Sequence, residues 1–163
     1  MPEVRHAMAT WNGDLQTGAG TIDYVSSGAF SRMPVTWASR TTAHNGKTSP
    51  EELLAAAHAS CFAMAFSSRL AKNGTPATKL SVRVDIKFDN PGTGWKVATS
   101  RITVQGDVPG VEEAKFLELA EDAKENCPIS AAIKGNVELV VHASLVAPGK
   151  AGAMPTQPLV GTS

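Results

Sequence analysis

Cysteine is scarce in this chain: Cys61 and Cys127 are the only two among 163 residues. They lack CxxC spacing, which excludes a thioredoxin motif and a zinc site built on cysteine pairs. A reducing compartment also disfavours a permanent structural disulfide. The two cysteines are therefore either a redox pair or two buried bystanders. HExxH, GxSxG and a glycine-rich phosphate loop are absent as well.

An excess of charge is also missing, since the formal net charge is zero and the pI is about 6.9. Nothing in this balance indicates nucleic acid or an anionic membrane surface as a partner. Residues 1–6 lack the features of a secretory signal, and no apolar run reaches the ~18 residues of a membrane span. The sequence thus predicts a cytoplasmic protein that is not embedded in a membrane.

The pattern of elements predicts an α+β fold in which antiparallel sheet covers helices. Alternating apolar residues predict early strands, a hairpin and a last strand, and helical spacing predicts three helices between them. The predicted strands are 4–11, 20–25, 35–40, 80–88, 95–104 and 137–145, and the predicted helices are 49–73, 111–125 and 129–134. A single domain over 1–146 precedes a Pro/Gly-rich tail, 147–163, which we expect to be loosely ordered or draped over a partner.

The helix predicted at 49–73 has the clearest signals. Ser49 is a good N-cap, Pro50 suits the first helical position, and Glu52 completes an S-x-x-E capping box. Between residues 53 and 66 only His58 and Ser60 are polar, so the helix should be buried on all sides. A small domain rarely surrounds such a helix alone, and we expect a second copy of the chain to cover part of it.

The two cysteines each allow a functional and a structural interpretation. Cys127 precedes Pro128 at a helix start, where unpaired N–H groups would stabilise a thiolate, or it simply fills a helix junction. Cys61 lies in an apolar helix, where burial raises the pKa of a thiol. It is either core or a nucleophile that needs a cation from elsewhere, since residues 53–68 contain no Lys or Arg.

Two further polar residues belong to the same helix. Glu51 lies ten residues before Cys61, or ~15 Å along a straight helix, so it could serve Cys61 only across a subunit interface or after a helix break. Otherwise it complements the helix N-terminus. His58 shares a helix face with Cys61 and is either a base or a hydrogen-bonded interface residue.

Residues 48–62 resemble the central-helix signature of the OsmC/Ohr family of osmotically inducible proteins and organic hydroperoxide reductases. The segment Cys127-Pro128-Ile129-Ser130 resembles the second mark of that family. The segment Trp11-Asn12-Gly13-Asp14, with Gly18 and Gly20, is similar to the opening of the OsmC branch. The resemblance covers roughly residues 4 to 146.

The resemblance implies an intertwined homodimer in which strands of both chains wrap two long central helices. It assigns Cys61 as the peroxidatic thiol, Cys127 as the resolving thiol and Glu51 as the acidic helper. The site arginine maps to Arg40, with Arg32 as the second choice. We expect Glu51 of one chain to help hold Arg40 near Cys61 of the other, and the sequence does not determine which chain contributes Arg40.

The same resemblance implies reduction of organic hydroperoxides without a bound cofactor or metal, with a dithiol such as a dihydrolipoyl group as reductant. Apolar residues near Cys61 would line the substrate pocket or belong to the core; they are Leu54, Phe62, Met64 and Phe66. Two alternatives stay open. One is a non-enzymatic dimer that binds a small apolar ligand, and the other is a different thiol enzyme, either a disulfide reductase or a hydrolase with His58 as base.

Overall fold

The computed structural model describes residues 1–152 and residue 154, and it divides the chain into two compact units, Met1–Leu53 and Leu54–Ser163. The elements are β1 Ala7–Asn12, β2 Ala19–Val25, β3 Ser31–Val35, α1 Trp37–Thr41, α2 Pro50–Lys72, β4 Lys79–Asp89, β5 Lys96–Asp107, α3 Glu113–Asn126, α4 Pro128–Ile133 and β6 Glu138–Leu145. The chain is therefore α+β, as predicted.

In the first unit, β1, β2 and β3 form an antiparallel sheet in that order. The strand predicted over 35–40 is wrong, because Thr36 begins the short helix α1 instead. The Thr36 hydroxyl accepts the Ser39 N–H at 3.1 Å, and the Ser39 hydroxyl accepts the Thr36 N–H at 3.1 Å. This reciprocal capping box starts a helix where the apolar alternation indicated a strand.

Helix α2 begins and ends where the sequence predicts. The Ser49 hydroxyl accepts the Glu52 N–H at 3.2 Å, and the Glu52 carboxylate accepts the Thr48 hydroxyl at 2.9 Å. The helix stops before Asn73 and Gly74, and Gly74 has a φ of 82° that favours glycine. Local capping chemistry is thus sufficient to define this element.

Within a single chain, α2 buries one face only. The buried row is spaced by four residues, as one helix face requires; it consists of His58, Phe62, Phe66 and Leu70. Ala57, Ser60 and Met64 are exposed, Met64 to 69%. A single chain therefore leaves part of α2 uncovered, and burial on all sides, which includes cover by a second copy, stays a prediction.

In length and mean hydropathy, α2 meets the minimum for a membrane span. His58 and Ser60 keep the uninterrupted apolar run of α2 shorter than a membrane span, as the sequence predicts, although the mean hydropathy of the helix still reaches that minimum. The buried row of α2 packs against strands and helices of the second unit. Such packing is typical of the core helix of a globular protein.

The second unit holds the main core. Strands β4 and β5 form the predicted antiparallel hairpin, whereas β6 pairs with β5 in parallel. The parallel pairing arises because α3 and α4 connect β5 to β6, and so long a crossover lets the chain return in the same direction. The core residues come from α2, both hairpin strands and α3; they include Phe62, Phe66, Leu70, Val84, Ile102, Val104, Phe116 and Ala120.

Residues 149 and 151, near the start of the predicted tail (147–163), pack within the second unit. The Gly149 N–H donates to the Asp107 carboxylate at 2.8 Å, and Ala151 is buried. Residues 153 and 155–163 lie outside the described residues, so loose ordering of the tail stays a prediction.

Candidate functional site

The two cysteines, 66 positions apart in the sequence, meet in the second unit. Cys61 is half-buried on α2, and Cys127 is fully buried at the junction of α3 and α4. Both thiols are free, and a hydrogen bond joins them. Two thiols in direct contact can form a disulfide once one of them is oxidised.

The surroundings of Cys61 favour its protonated form. Burial raises the pKa of the Cys61 thiol, and the adjacent Cys127 thiol raises it further. A hydrogen bond from the Ile129 backbone N–H acts in the opposite direction and lowers this pKa. Within this unit, then, Cys61 is a thiol that an added positive charge would activate.

The first backbone N–H of α4, that of Ile129, interacts with Cys61 rather than with Cys127. Cys127 is the N-cap residue of α4, yet its side chain makes no capping hydrogen bond. The Cys127 thiol therefore accepts no capping hydrogen bond from the first N–H groups of α4, and stabilisation of its thiolate by the helix N-terminus stays a prediction. The Cys127 backbone is extended at φ −65° and ψ 129°, and the free N–H of Ile129 instead reaches the sulfur of Cys61.

His58 is buried and hydrogen-bonded through both ring nitrogens. Nδ1 lies 2.8 Å from the Ser100 hydroxyl oxygen on β5, and Nε2 lies 2.8 Å from the Ser130 hydroxyl oxygen on α4. All three side chains are fully buried. This geometry agrees with the hydrogen-bonded role, although the ring is buried within one chain rather than at an interface. It leaves no ring nitrogen for the role of base toward Cys61.

The first unit carries an ion pair between Arg40 and Glu51. Arg40 Nη2 donates to Glu51 Oε1 at 2.7 Å, and Arg40 Nε lies 3.2 Å from both carboxylate oxygens. The side chains are 28% and 10% exposed. The guanidinium carbon also lies 5.4 Å from the centre of the Trp37 ring, a cation–π distance. The fork geometry fixes the guanidinium in one orientation.

Backbone contacts in the α1–α2 connection bring this pair together. The Thr48 N–H donates to the Pro34 carbonyl at 3.1 Å, and the Ser39 hydroxyl donates to the Thr48 carbonyl at 3.0 Å. These bonds fold the loop back on β3, so the last turn of α1 faces the first turn of α2. Arg32, the second choice, is exposed on the edge strand β3 with a φ of 54°.

A cleft of about 340 Å³ lies beside Arg40 in the first unit. Its lining includes the apolar side chains of Trp11, Leu15 and Trp37 together with the guanidinium. An apolar cleft with one charged group is typical of sites that bind an alkyl chain with a polar end.

The apolar residues predicted near Cys61 have different positions. Phe62 and Phe66 are fully buried, and their rings pack on each other with centroids 5.6 Å apart. Phe62 and Phe66 therefore belong to the core, which was one of the two predicted alternatives. Met64 is exposed and Leu54 is half-buried.

Sequence reasoning missed the hydroxyl partners of His58. The sequence contains one feature that points to each of these two serines. Ser130 stands inside the quoted Cys127–Ser130 segment, and Ser100 shares the alternating face of β5 with Ile102 and Val104.

Comparison with known proteins gives one family. A family model described as OsmC-like protein matches residues 43–142. The chain is 32% identical over 135 residues to Peroxiredoxin OsmC of Escherichia coli strain K12, covering 83% of this chain and 93% of that protein. It is 33% identical over 141 residues to Organic hydroperoxide resistance protein-like 1 of Staphylococcus saprophyticus, covering 83% and 89%.

Solved structures show the same fold. OhrB, the organic hydroperoxide resistance protein of Bacillus subtilis, aligns with a TM-score of 0.65 and 23% identity over 85% of this chain and 98% of that chain. An organic hydroperoxide resistance protein of Elizabethkingia anophelis aligns with a TM-score of 0.66 and 21% identity over 90% and 100%.

Proposed function

The chain belongs to the OsmC-like family, and on that premise we propose that it is a thiol peroxidase that reduces organic hydroperoxides to alcohols. The observation that carries this proposal is the contact between the free thiols of Cys61 and Cys127. The relatives named for peroxiredoxin activity and hydroperoxide resistance support the substrate class.

In the proposed reaction, the Cys61 thiolate attacks the distal oxygen of ROOH. The O–O bond breaks, ROH leaves after protonation, and Cys61 becomes a sulfenic acid. The Cys127 thiol then attacks the Cys61 sulfur, which expels water and forms a Cys61–Cys127 disulfide. An external dithiol reduces this disulfide by exchange and restores both thiols. No step requires a bound cofactor.

The Arg40–Glu51 pair supplies the charge that Cys61 needs. Burial favours the protonated form of Cys61 within its own unit, so activation requires a cation. We assign that role to Arg40, which Glu51 orients, acting on Cys61 of the partner subunit in a homodimer. The guanidinium would lower the pKa of Cys61 and stabilise the charge that develops as the O–O bond breaks.

The cleft beside Arg40 favours an organic substrate. Two tryptophans and a leucine next to the guanidinium suit an alkyl chain better than hydrogen peroxide. The reductant is a dithiol, for which a lipoyl protein is the leading candidate. Two free cysteines agree with a reducing compartment such as the cytoplasm.

Steady-state turnover tests this proposal. Cumene hydroperoxide and hydrogen peroxide are each supplied with dihydrolipoamide, and peroxide consumption is followed for wild type, Cys61→Ser and Cys127→Ser. We expect wild type to consume cumene hydroperoxide faster than hydrogen peroxide, and Cys61→Ser to be inactive. Equal consumption by Cys61→Ser and wild type would overturn the proposal.

A further inference from the structure

His58 occupies a central place in the second unit that the peroxidase reaction does not use. Its ring links three elements, because it lies on α2 and bonds to Ser100 on β5 and Ser130 on α4. All three side chains are shielded from solvent. The imidazole pairs both buried hydroxyls, whereas an apolar side chain at this position would leave both of them without a hydrogen-bond partner.

The ring is neutral in this environment. Burial lowers the pKa of His58 below its ordinary value of 6.5, so near pH 7 the imidazole has one N–H and one lone pair. It therefore donates to one serine hydroxyl and accepts from the other. Each hydroxyl keeps a defined orientation as long as the ring stays neutral.

Two hydrogen bonds join the start of α4 to α2, and their partners on α2 are about one helical turn apart. Ile129 donates its N–H to the sulfur of Cys61, and the next residue, Ser130, bonds to His58. His58 and Cys61 are three positions apart and share one face of α2. Cys127 directly precedes this segment. The hydrogen bond between His58 and Ser130 thus holds α4 in the position that places the Cys127 thiol against Cys61.

We propose that His58 is a positioning residue for disulfide formation, acting through Ser130 on the segment that carries Cys127. This rests on the proposed function. The step concerned is the attack of the Cys127 thiol on the Cys61 sulfenic acid, in which an S–S bond forms, the S–O bond breaks and water leaves. When the hydrogen bond between His58 and Ser130 is lost, this attack slows. The sulfenic acid then survives long enough for a second ROOH to oxidise it to sulfinic acid.

A matched pair of variants separates the two hydrogen bonds of the ring. In His58→Gln the amide occupies the Nε2 position and retains the bond to Ser130, whereas in His58→Asn it occupies the Nδ1 position and retains the bond to Ser100. Ser130→Ala removes the hydrogen bond between His58 and Ser130 by deleting the hydroxyl partner. One equivalent of cumene hydroperoxide is added to each reduced protein, and intact mass is followed with and without a sulfenic acid trap.

In His58→Asn and Ser130→Ala we expect disulfide formation to slow by about tenfold, the effect of about 1.4 kcal/mol from one lost hydrogen bond. Trapped sulfenic acid should form at a rate changed far less, and sulfinic acid should accumulate with excess hydroperoxide. His58→Gln should form the disulfide at close to the wild-type rate.

The unfolding midpoint of each variant in urea separates positioning from general loosening. If disulfide formation slows equally in the Asn and Gln variants, or only in proportion to lost stability, the role of His58 is overturned. If wild type forms sulfenic acid and disulfide but all variants match it, only the His58 proposal fails. If wild type keeps both thiols, the proposed function fails and takes the role of His58 with it.

Discussion

At the scale of single residues, the chemistry depends on the charge state of Cys61. Burial and the neighbouring Cys127 thiol raise its pKa, and the Ile129 N–H compensates in part. A guanidinium held by a carboxylate is suited to supply the rest, because arginine stays charged and the fork fixes its direction.

Arg40→Ala should raise the pKa of Cys61 by roughly 1 to 3 units, the effect of losing one close opposite charge. The thiolate fraction at neutral pH then falls by at least tenfold, and the reaction with hydroperoxide slows accordingly. The measurement is the pH dependence of alkylation by iodoacetamide in a Cys127→Ser background. Arg32→Ala is the matched control and should leave the profile in place; the reverse result would assign the role to Arg32.

His58 predicts a specific dependence of stability on pH. Its pKa is lowered in the folded protein, and in the unfolded chain it returns to about 6.5. Between these two values the unfolded state binds more protons, so the free energy of unfolding falls as the pH drops below about 6.5 and is unaffected above it. Urea unfolding of wild type and His58→Gln from pH 7.5 to pH 5 measures this. The variant should lose less stability on acidification, and an identical slope for both proteins would contradict a buried neutral imidazole.

At the scale of elements, helix α2 has two unlike faces. One face packs into the core through the row that contains Phe62 and Phe66. The other is lined with alanine and serine and exposes Met64 to 69%. Small side chains on an exposed helix face permit close approach of another backbone, which agrees with a partner subunit at this position.

Met64→Lys places a charge on this exposed face and should weaken self-association by at least tenfold, because a buried interface would have to desolvate the ammonium group. Sedimentation velocity over a range of protein concentrations measures the dimer fraction. Leu117→Lys is a suitable control, since Leu117 is 41% exposed on α3. A protein that remains dimeric with Met64→Lys would exclude this face as the interface.

Local signals in the sequence were enough for most elements. Ser49, Pro50 and Glu52 predicted the start of α2, and strict alternation predicted the β4–β5 hairpin. The parallel pairing of β6 could not be predicted in the same way, because strand pairing across two intervening helices depends on long-range packing. Helix α1 was missed because five residues are too few for a periodic pattern.

The site was predictable only in part, for the same physical reason. Cys61, Cys127, Arg40 and Glu51 were identified through motif resemblance, and the geometry brings them together as two pairs. The partners of His58 lie 42 and 72 positions away in the sequence. No local pattern encodes contacts over such separations.

At the scale of the whole molecule, the proposed site requires two chains, each supplying one pair. Mixed dimers of Arg40→Ala and Cys61→Ser test this directly. Each variant alone should be nearly inactive, yet a mixed dimer contains one site with both Cys61 and Arg40 intact. We expect subunit exchange to restore up to half of the wild-type turnover per mixed dimer. Absence of recovery, with exchange verified by native mass spectrometry, would place both residues in the same chain.

The proposed peroxidase activity requires Cys61 and Cys127 to react with peroxide as a pair. Its most direct test is the intact mass and free thiol count of the denatured protein before and after one equivalent of cumene hydroperoxide. Wild type should lose both thiols and ~2 Da, as expected for one disulfide. Cys127→Ser should stop at an oxidised Cys61, and Cys61→Ser should not react. Retention of all thiols in all three proteins would rule out this activity and favour a dimer in which both cysteines are core.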